Sequence, residues 1–134
     1  FNPAFQPDQY GVIFAHLDVA IAPLQMNEFN DSKSEIKLAE CGKYGVPLIA
    51  SDVGCYNEHI VNGQNGILLP VGATKSDWAR TLARVVKDKK WRKEMGKNLH
   101  TTVIDLFDLN KQVHKRLDLY EEYYRIKANA TANV

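Results

Sequence analysis

The legible pattern begins with a helical period. Tyr10, Ile13, Phe14 and Leu17 recur at i, i+3, i+4 and i+7, which predicts a short amphipathic helix over 9–17. Residues 19–24, opened by Asp18, form a continuously apolar run, the pattern of a strand buried on both faces. A polar loop over 25–31 follows. Ser32, Lys33, Ser34 and Glu35 then have the spacing of a capping box that opens a helix. Gly45, just past Tyr44, is placed to close that helix in the left-handed conformation. Pro47 is acceptable at the first position of a strand, which Leu48, Ile49 and Ala50 continue. Strand, helix and strand in about thirty residues predict a parallel pair joined by a right-handed crossover. Ligands of such sheets bind beyond the carboxyl ends of the strands, where this helix starts.

Beyond Ala50 the punctuation becomes denser. Gly54 suits a tight strand-to-helix turn, and residues 55–61 have room for one or two helical turns. Two Asn-Gly pairs, Asn62-Gly63 and Asn65-Gly66, mark a turn. A third strand over 67–69 is stopped by Pro70. Ser76 reads as an N-cap, followed by Trp78, Ala79, Leu82, Val85 and Val86 on one helical face. Trp91, Met95, Leu99 and Val103 mark a second helix. Val113, Leu117, Tyr120 and Tyr124 mark a third, after a break around 105–110. Residues 1–9 read as a polar lead-in, and 128–134 lack an apolar pattern and are expected to fray.

Composition narrows the classes. The chain has 134 residues and is 45% hydrophobic, about one domain's worth with enough apolar content for a core. A net charge of +1 from interspersed acids and bases gives no footprint for nucleic acid. No run is long enough to cross a membrane, and no signal-peptide pattern opens the chain. Cys41 and Cys55 read as free thiols of a reducing compartment, where the Asn-x-Ser/Thr patterns at Asn30 and Asn129 carry no meaning. His16, His59, His100 and His114 have no metal-ligand spacing. The absence of an initiator Met suggests a piece of a longer protein.

The helix after the first strand carries the candidate chemistry. Lys33, Lys37, Glu40 and Tyr44 fall on one face, with Leu38, Cys41 and Gly42 opposite, toward the sheet. Two lysines one turn apart at a positive dipole end concentrate potential that an anion would satisfy, although a solvated surface also accommodates it. Glu35 is accounted for as the capping partner of Ser32. Glu40 admits two readings: acceptor for two vicinal ribose hydroxyls, or salt-bridge partner of Lys37 or Lys43. No nucleophile elbow, Walker loop or G-x-G-x-x-G occurs.

Glu40, then Gly45 to Gly54 (Gly-Val-Pro-Leu-Ile-Ala-Ser-Asp-Val-Gly), Glu58, Gly63, Asn65-Gly66 and Leu68-Leu69-Pro70 together resemble the carboxyl-terminal half of group 1 (family 4) glycosyltransferases. The resemblance covers about 10–124. It implies the GT-B fold, with this chain a Rossmann-like α/β parallel sheet with flanking helices and carboxyl-terminal helices. It also implies one partial domain over 1–134, a nucleotide-sugar-binding half at about 10–72 with closing helices at about 76–126. A glutamate in the position of Glu40 holds the donor ribose in that family. A second glutamate and a glycine-containing turn stand eight positions earlier. Here Ser32 takes that glutamate's place, Lys33-Ser34-Glu35-Ile36 replaces the turn, and Cys55 replaces the second glycine before Tyr56-Asn57-Glu58. Phe29-Asn30 with Lys33-Ser34 and Lys37 resembles a branch that puts lysine at this helix start.

The resemblance therefore implies donor-binding residues Asn30, Ser32, Lys33, Ser34, Glu35, Ile36, Lys37 and Glu40, and hexosyl transfer to a glycan or lipid-linked acceptor. It implies no metal and no cofactor, the nucleotide sugar being substrate, and a catalytic base in an amino-terminal domain of the parent protein. The expected location is the cytoplasm, or the membrane's inner face through the parent. In the doubly wound order, strand 19–24 lies mid-sheet, so its open edge should pair with that missing half or with a second copy. The alternatives are a non-catalytic interaction or regulatory domain on this fold, or a related nucleotide-sugar epimerase.

Overall fold

The computed structural model describes residues 10–132. The lead-in expected over 1–9 and the last two residues of the expected frayed tail lie outside them. The chain divides into two compact units, one running to Ile104 and one from Asp105.

The first unit is built on three parallel strands, β1 (Ala20–Ala22), β2 (Leu48–Ser51) and β3 (Gly66–Leu69), in the order β1-β2-β3. Ala20 pairs with Leu48, and Leu48 with Gly66. Side chains alternate along β2 as a strand's period of two requires. Leu48 and Ala50 join Phe14, Leu38, Cys41, Leu99 and Val103 on one side, whereas Ile49 joins Ile67, Val85 and Met95 on the other. Both faces are covered, so β2 is buried throughout and reads as a continuous apolar run. β1 is shorter than the run 19–24 suggests. Pro23 has no N–H to continue the ladder, and the next amide, Leu24, donates to Ser51 Oγ at 2.9 Å instead.

Two helix starts differ from expectation. The segment 25–31 is not all loop: Asn27 accepts from the Asn30 N–H and caps a one-turn helix, α1 (Glu28–Asp31), which Ser32 terminates. The capping box at 32–35 therefore does not form. The helix begins later, as α2 (Ile36–Lys43), with Glu35 at its N-cap and no side-chain cap bond. Gly54 lies against the end of α1 at φ 52°, and a Cβ there would stand 2.8 Å from the Asp31 carbonyl oxygen. This tertiary contact holds the chain in its turn at 30–32. The other end of α2 matches its sequence. Gly45, at φ 65°, donates to the Gly42 carbonyl and Val46 to that of Cys41, the paired bonds of a Schellman closure.

The tight turn at Gly54 leads into α3 (Cys55–His59). The helix α4 (Lys75–Lys87) starts two residues earlier than an N-cap at Ser76 would set it. Thr74 is its N-cap and completes a capping box with Asp77, a pair that satisfies two backbone donors where Ser76 alone would satisfy one. The long helix α5 (Lys89–Phe107) lays Met95, Leu99 and Val103 into the core. Residues 10–16 form a 3-10 helix (Tyr10–His16), whose Phe14 is buried.

The second unit holds the end of α5 and α6 (Leu109–Ala132). Asp108 breaks the path, its carboxylate accepting the Asn110 N–H, and Asp105 pairs with Lys111 at 2.7 Å. The expected fraying from 128 is not seen up to Ala132, where α6 is still helical. Leu117, Tyr120 and Tyr124 are exposed on α6.

Candidate functional site

The carboxyl end of β1 and the start of α2 enclose an open cavity of about 420 Å³, lined by Ile21, Pro23, Leu24, Lys33, Ser34, Ile36, Lys37, Glu40 and Tyr56 among others. It lies where an α/β sheet binds its ligands. Five of the eight sequence candidates are brought together here: Lys33, Ser34, Ile36, Lys37 and Glu40.

The other three are placed differently. Asn30 is buried, and its side-chain amide donates to the Gln25 carbonyl at 2.7 Å, shaping the loop that leads to the cavity. Ser32 is the exposed C-cap of α1. Glu35 does not pair with Ser32; its carboxylate lies 3.8 Å from His59 Nε2, on the side of α3.

Charge in the cavity is organised around Lys37. Its ammonium donates to Glu40 Oε2 at 2.8 Å and to the Tyr10 hydroxyl at 3.4 Å, and lies 4.8 Å from the Phe14 ring centroid. Burial by itself lowers this lysine's pKa, but the bonds to Glu40 and Tyr10 and their charge attraction outweigh it and raise the pKa above the ordinary value. Lys37 is thus a fixed cation. Of the two readings of Glu40, the Lys37 salt bridge is present, and the same carboxylate also lines the cavity. Lys33 holds its ammonium 4.8 Å from the exposed Phe29 ring. The first-turn amides of α2 receive no side-chain cap from Glu35, so this dipole end stays uncapped beside a cavity lined by two lysines, of which Lys37 is already paired with Glu40.

Sequence reasoning missed the walls. Tyr56 enters from α3, where burial pushes its phenol pKa up, and Tyr10 of the 3-10 helix reaches the lining residue Lys37 by accepting from its ammonium. Their signal was present as an aromatic after Gly54 and an aromatic on the first helical face, but neither spacing says which strand end it faces. Among the described residues no group of three or more His, Cys, Asp or Glu could hold a metal ion, and Cys41 and Cys55 are free thiols. No helix of the described residues is long and apolar enough to cross a membrane.

Comparison with known proteins gives a consistent picture. The family described as glycosyl transferases group 1 matches residues 5–101. A D-inositol 3-phosphate glycosyltransferase of Paenarthrobacter aurescens (strain TC1) is 31% identical over 109 residues, 81% of this chain and 25% of that protein. The chain thus spans about a quarter of the length of the curated relative it matches. A sucrose-phosphate synthase from Thermosynechococcus elongatus has a TM-score of 0.80 at 21% identity, over 94% of this chain and 30% of that one. The C-terminal domain of a glycosyl transferase group 1 family protein from Francisella tularensis has a TM-score of 0.65 at 19% identity, over 78% and 51%. An Anabaena protein, Alr3699/HepE, in complex with UDP has a TM-score of 0.59 at 19% identity, over 79% and 29%. At these identities the structures establish the fold alone, that of a GT-B carboxyl-terminal domain.

Proposed function

We propose that this chain, which belongs to the group 1 glycosyl transferases, is the part of such an enzyme that holds the nucleotide-sugar donor. The observation that carries the reading is the convergence of Lys33, Lys37 and the uncapped first turn of α2 on a cavity at the carboxyl end of β1. In this reading the diphosphate sits at 32–34, held by lysine ammonium groups and helix-start amides. Glu40 accepts the ribose hydroxyls while keeping Lys37, Ile36 and Tyr56 form apolar walls, and Asn30 and Glu35 shape the approach. The transferred group is a hexosyl unit and the acceptor a glycan or a lipid-linked sugar. The donor is a substrate, so the reading includes no resident cofactor or metal.

The catalytic base is placed in an amino-terminal domain of the longer protein, at work in the cytoplasm or at the membrane's inner face. β1 stands at the edge of the described sheet with Ile21 half exposed, which supports its pairing with a strand of that missing half. In isolation the same edge should drive self-association, which light scattering reads.

Titration with UDP, GDP and ADP tests the donor reading, with UDP first because the Anabaena neighbour was solved with it. One of the three is expected to bind, and replacing Lys33 and Lys37 together by Ala should weaken binding and flatten its salt dependence. Ser32, standing where the family carries a carboxylate, favours one rival, a non-catalytic interaction domain. Failure of all three nucleotides to bind would support that rival.

A further inference from the structure

The charge of the chain is unevenly placed. Nine of its 17 Lys and Arg fall within residues 75–104, against three of its 16 acids, so this stretch has a net charge of +6 in a chain of +1. The helix pair α4–α5 displays it as two stripes. Arg80, Arg84 and Lys87 recur at i, i+4 and i+7 on the exposed side of α4, opposite the core residues Trp78, Leu82 and Val85. Lys89, Lys93 and Lys97 recur at i, i+4 and i+8 on α5, with Lys90 beside them, all exposed. A depression lined by Ala83, Arg84, Lys87, Asp88 and Lys89 joins the two stripes at the helix corner.

The acids in this stretch do little to neutralise it. Asp77 is held in the Thr74 capping box, with Arg80 3.6 Å away, and Asp88 accepts the Trp91 N–H, which leaves Glu94. None of Lys87, Lys89, Lys90, Lys93 and Lys97 is in an ion pair among the described residues. One guanidinium group, that of Arg92, is by contrast turned to the protein, donating to the Val86 carbonyl and to Asp18. Arg84 stays exposed with its guanidinium 4.4 Å from the Trp91 ring centroid. What faces outward is therefore chiefly ammonium charge. An ammonium group is a compact point charge that responds to charge density, whereas the planar guanidinium fork is suited to directed bidentate contacts. Exposed Val86, with Ala79 and Ala83 on the same side of α4, adds shallow apolar contact beside the charges.

We propose that this α4–α5 face docks peripherally on an anionic phospholipid surface. The attraction is that of a polybasic segment for a negatively charged leaflet, without insertion of a helix. It is independent of the donor cavity, so a nucleotide titration and a vesicle assay fail or succeed separately.

The test is cosedimentation with phosphatidylcholine vesicles, with and without phosphatidylglycerol. Binding is expected only with the anionic lipid, and it should vanish as salt rises from about 0.1 M to about 1 M and the screening length falls from about 10 Å to about 3 Å. The variant K89Q/K93Q/K97Q should bind about fivefold more weakly per charge removed, about a hundredfold in all. K89R/K93R/K97R should bind normally. K115Q/R116Q/R125Q removes the same net charge from the second unit and should also bind normally. Equal loss in that control would overturn the assignment to this face. Equal binding to both vesicle types would overturn the proposal, as would equally tight binding of a short RNA duplex at the same salt.

Discussion

The two faces of α2 share eight residues and follow opposite rules. The inner face is closed. Leu38 and Cys41 have no solvent exposure, and a Cβ on Gly42 would stand 2.2 Å from Val103 Cγ2. The outer face is open, with Ile36 63% exposed and Lys37 and Glu40 paired at the cavity wall. Packing governs the first face because an atom added or removed there has nowhere to relax. Charge placement governs the second, where side chains have room to move and water screens what they do. If the outer face holds the donor as proposed, the same short helix separates stability from binding, and substitutions on its two faces should show effects that do not mix.

The largest effect is expected inside. Leu38→Ala should cost about 2–5 kcal/mol of unfolding free energy, read by urea denaturation, while the folded fraction keeps its nucleotide affinity. A loss of affinity at full folding would show that the faces are coupled.

Cys41 sharpens the contrast through pH. Burial pushes its thiol from 9.0 up to about 12, so the folded chain keeps a proton that the unfolded chain releases. Its contribution is fully present below pH 9.0 and is lost as the pH rises toward 12, approaching about 4 kcal/mol. Cys41→Ala should lack this alkaline slope when the two unfolding curves are compared across that range, and parallel curves would disprove the assignment.

The smallest effect belongs outside. Glu40→Gln should weaken nucleotide binding by about 1–2 kcal/mol, the scale of a hydrogen bond to a charged group. The melting temperature without ligand should hardly move, since a part-exposed ion pair contributes little to folding. A collapse in stability would make Glu40 a structural residue and break the division between the faces.

Much of the fold was legible because it is set locally. The apolar run at 48–50, the closure by Gly45 and the inward face of Leu38, Cys41 and Gly42 follow from periods and from a backbone conformation that favours glycine. The cluster of Lys33, Lys37 and Glu40 was legible for the same reason, since neighbours on a helix or at its start remain neighbours in space.

Only the tertiary structure decided where α2 begins and what stands across from it. Ser32 to Glu35 carries the local signature of a capping box, yet Asn27 caps an earlier turn and Gly54 receives the carbonyls of Asn30 and Asp31 at a distance no other residue allows. Glu35 lies toward His59, Asn30 bonds within the loop, Tyr56 becomes a wall of the cavity, and Tyr10 accepts from the Lys37 ammonium. A cap or a helical face is settled by residues within one or two turns. A cavity is settled by residues tens of positions apart, and their approach depends on packing that no local spacing encodes.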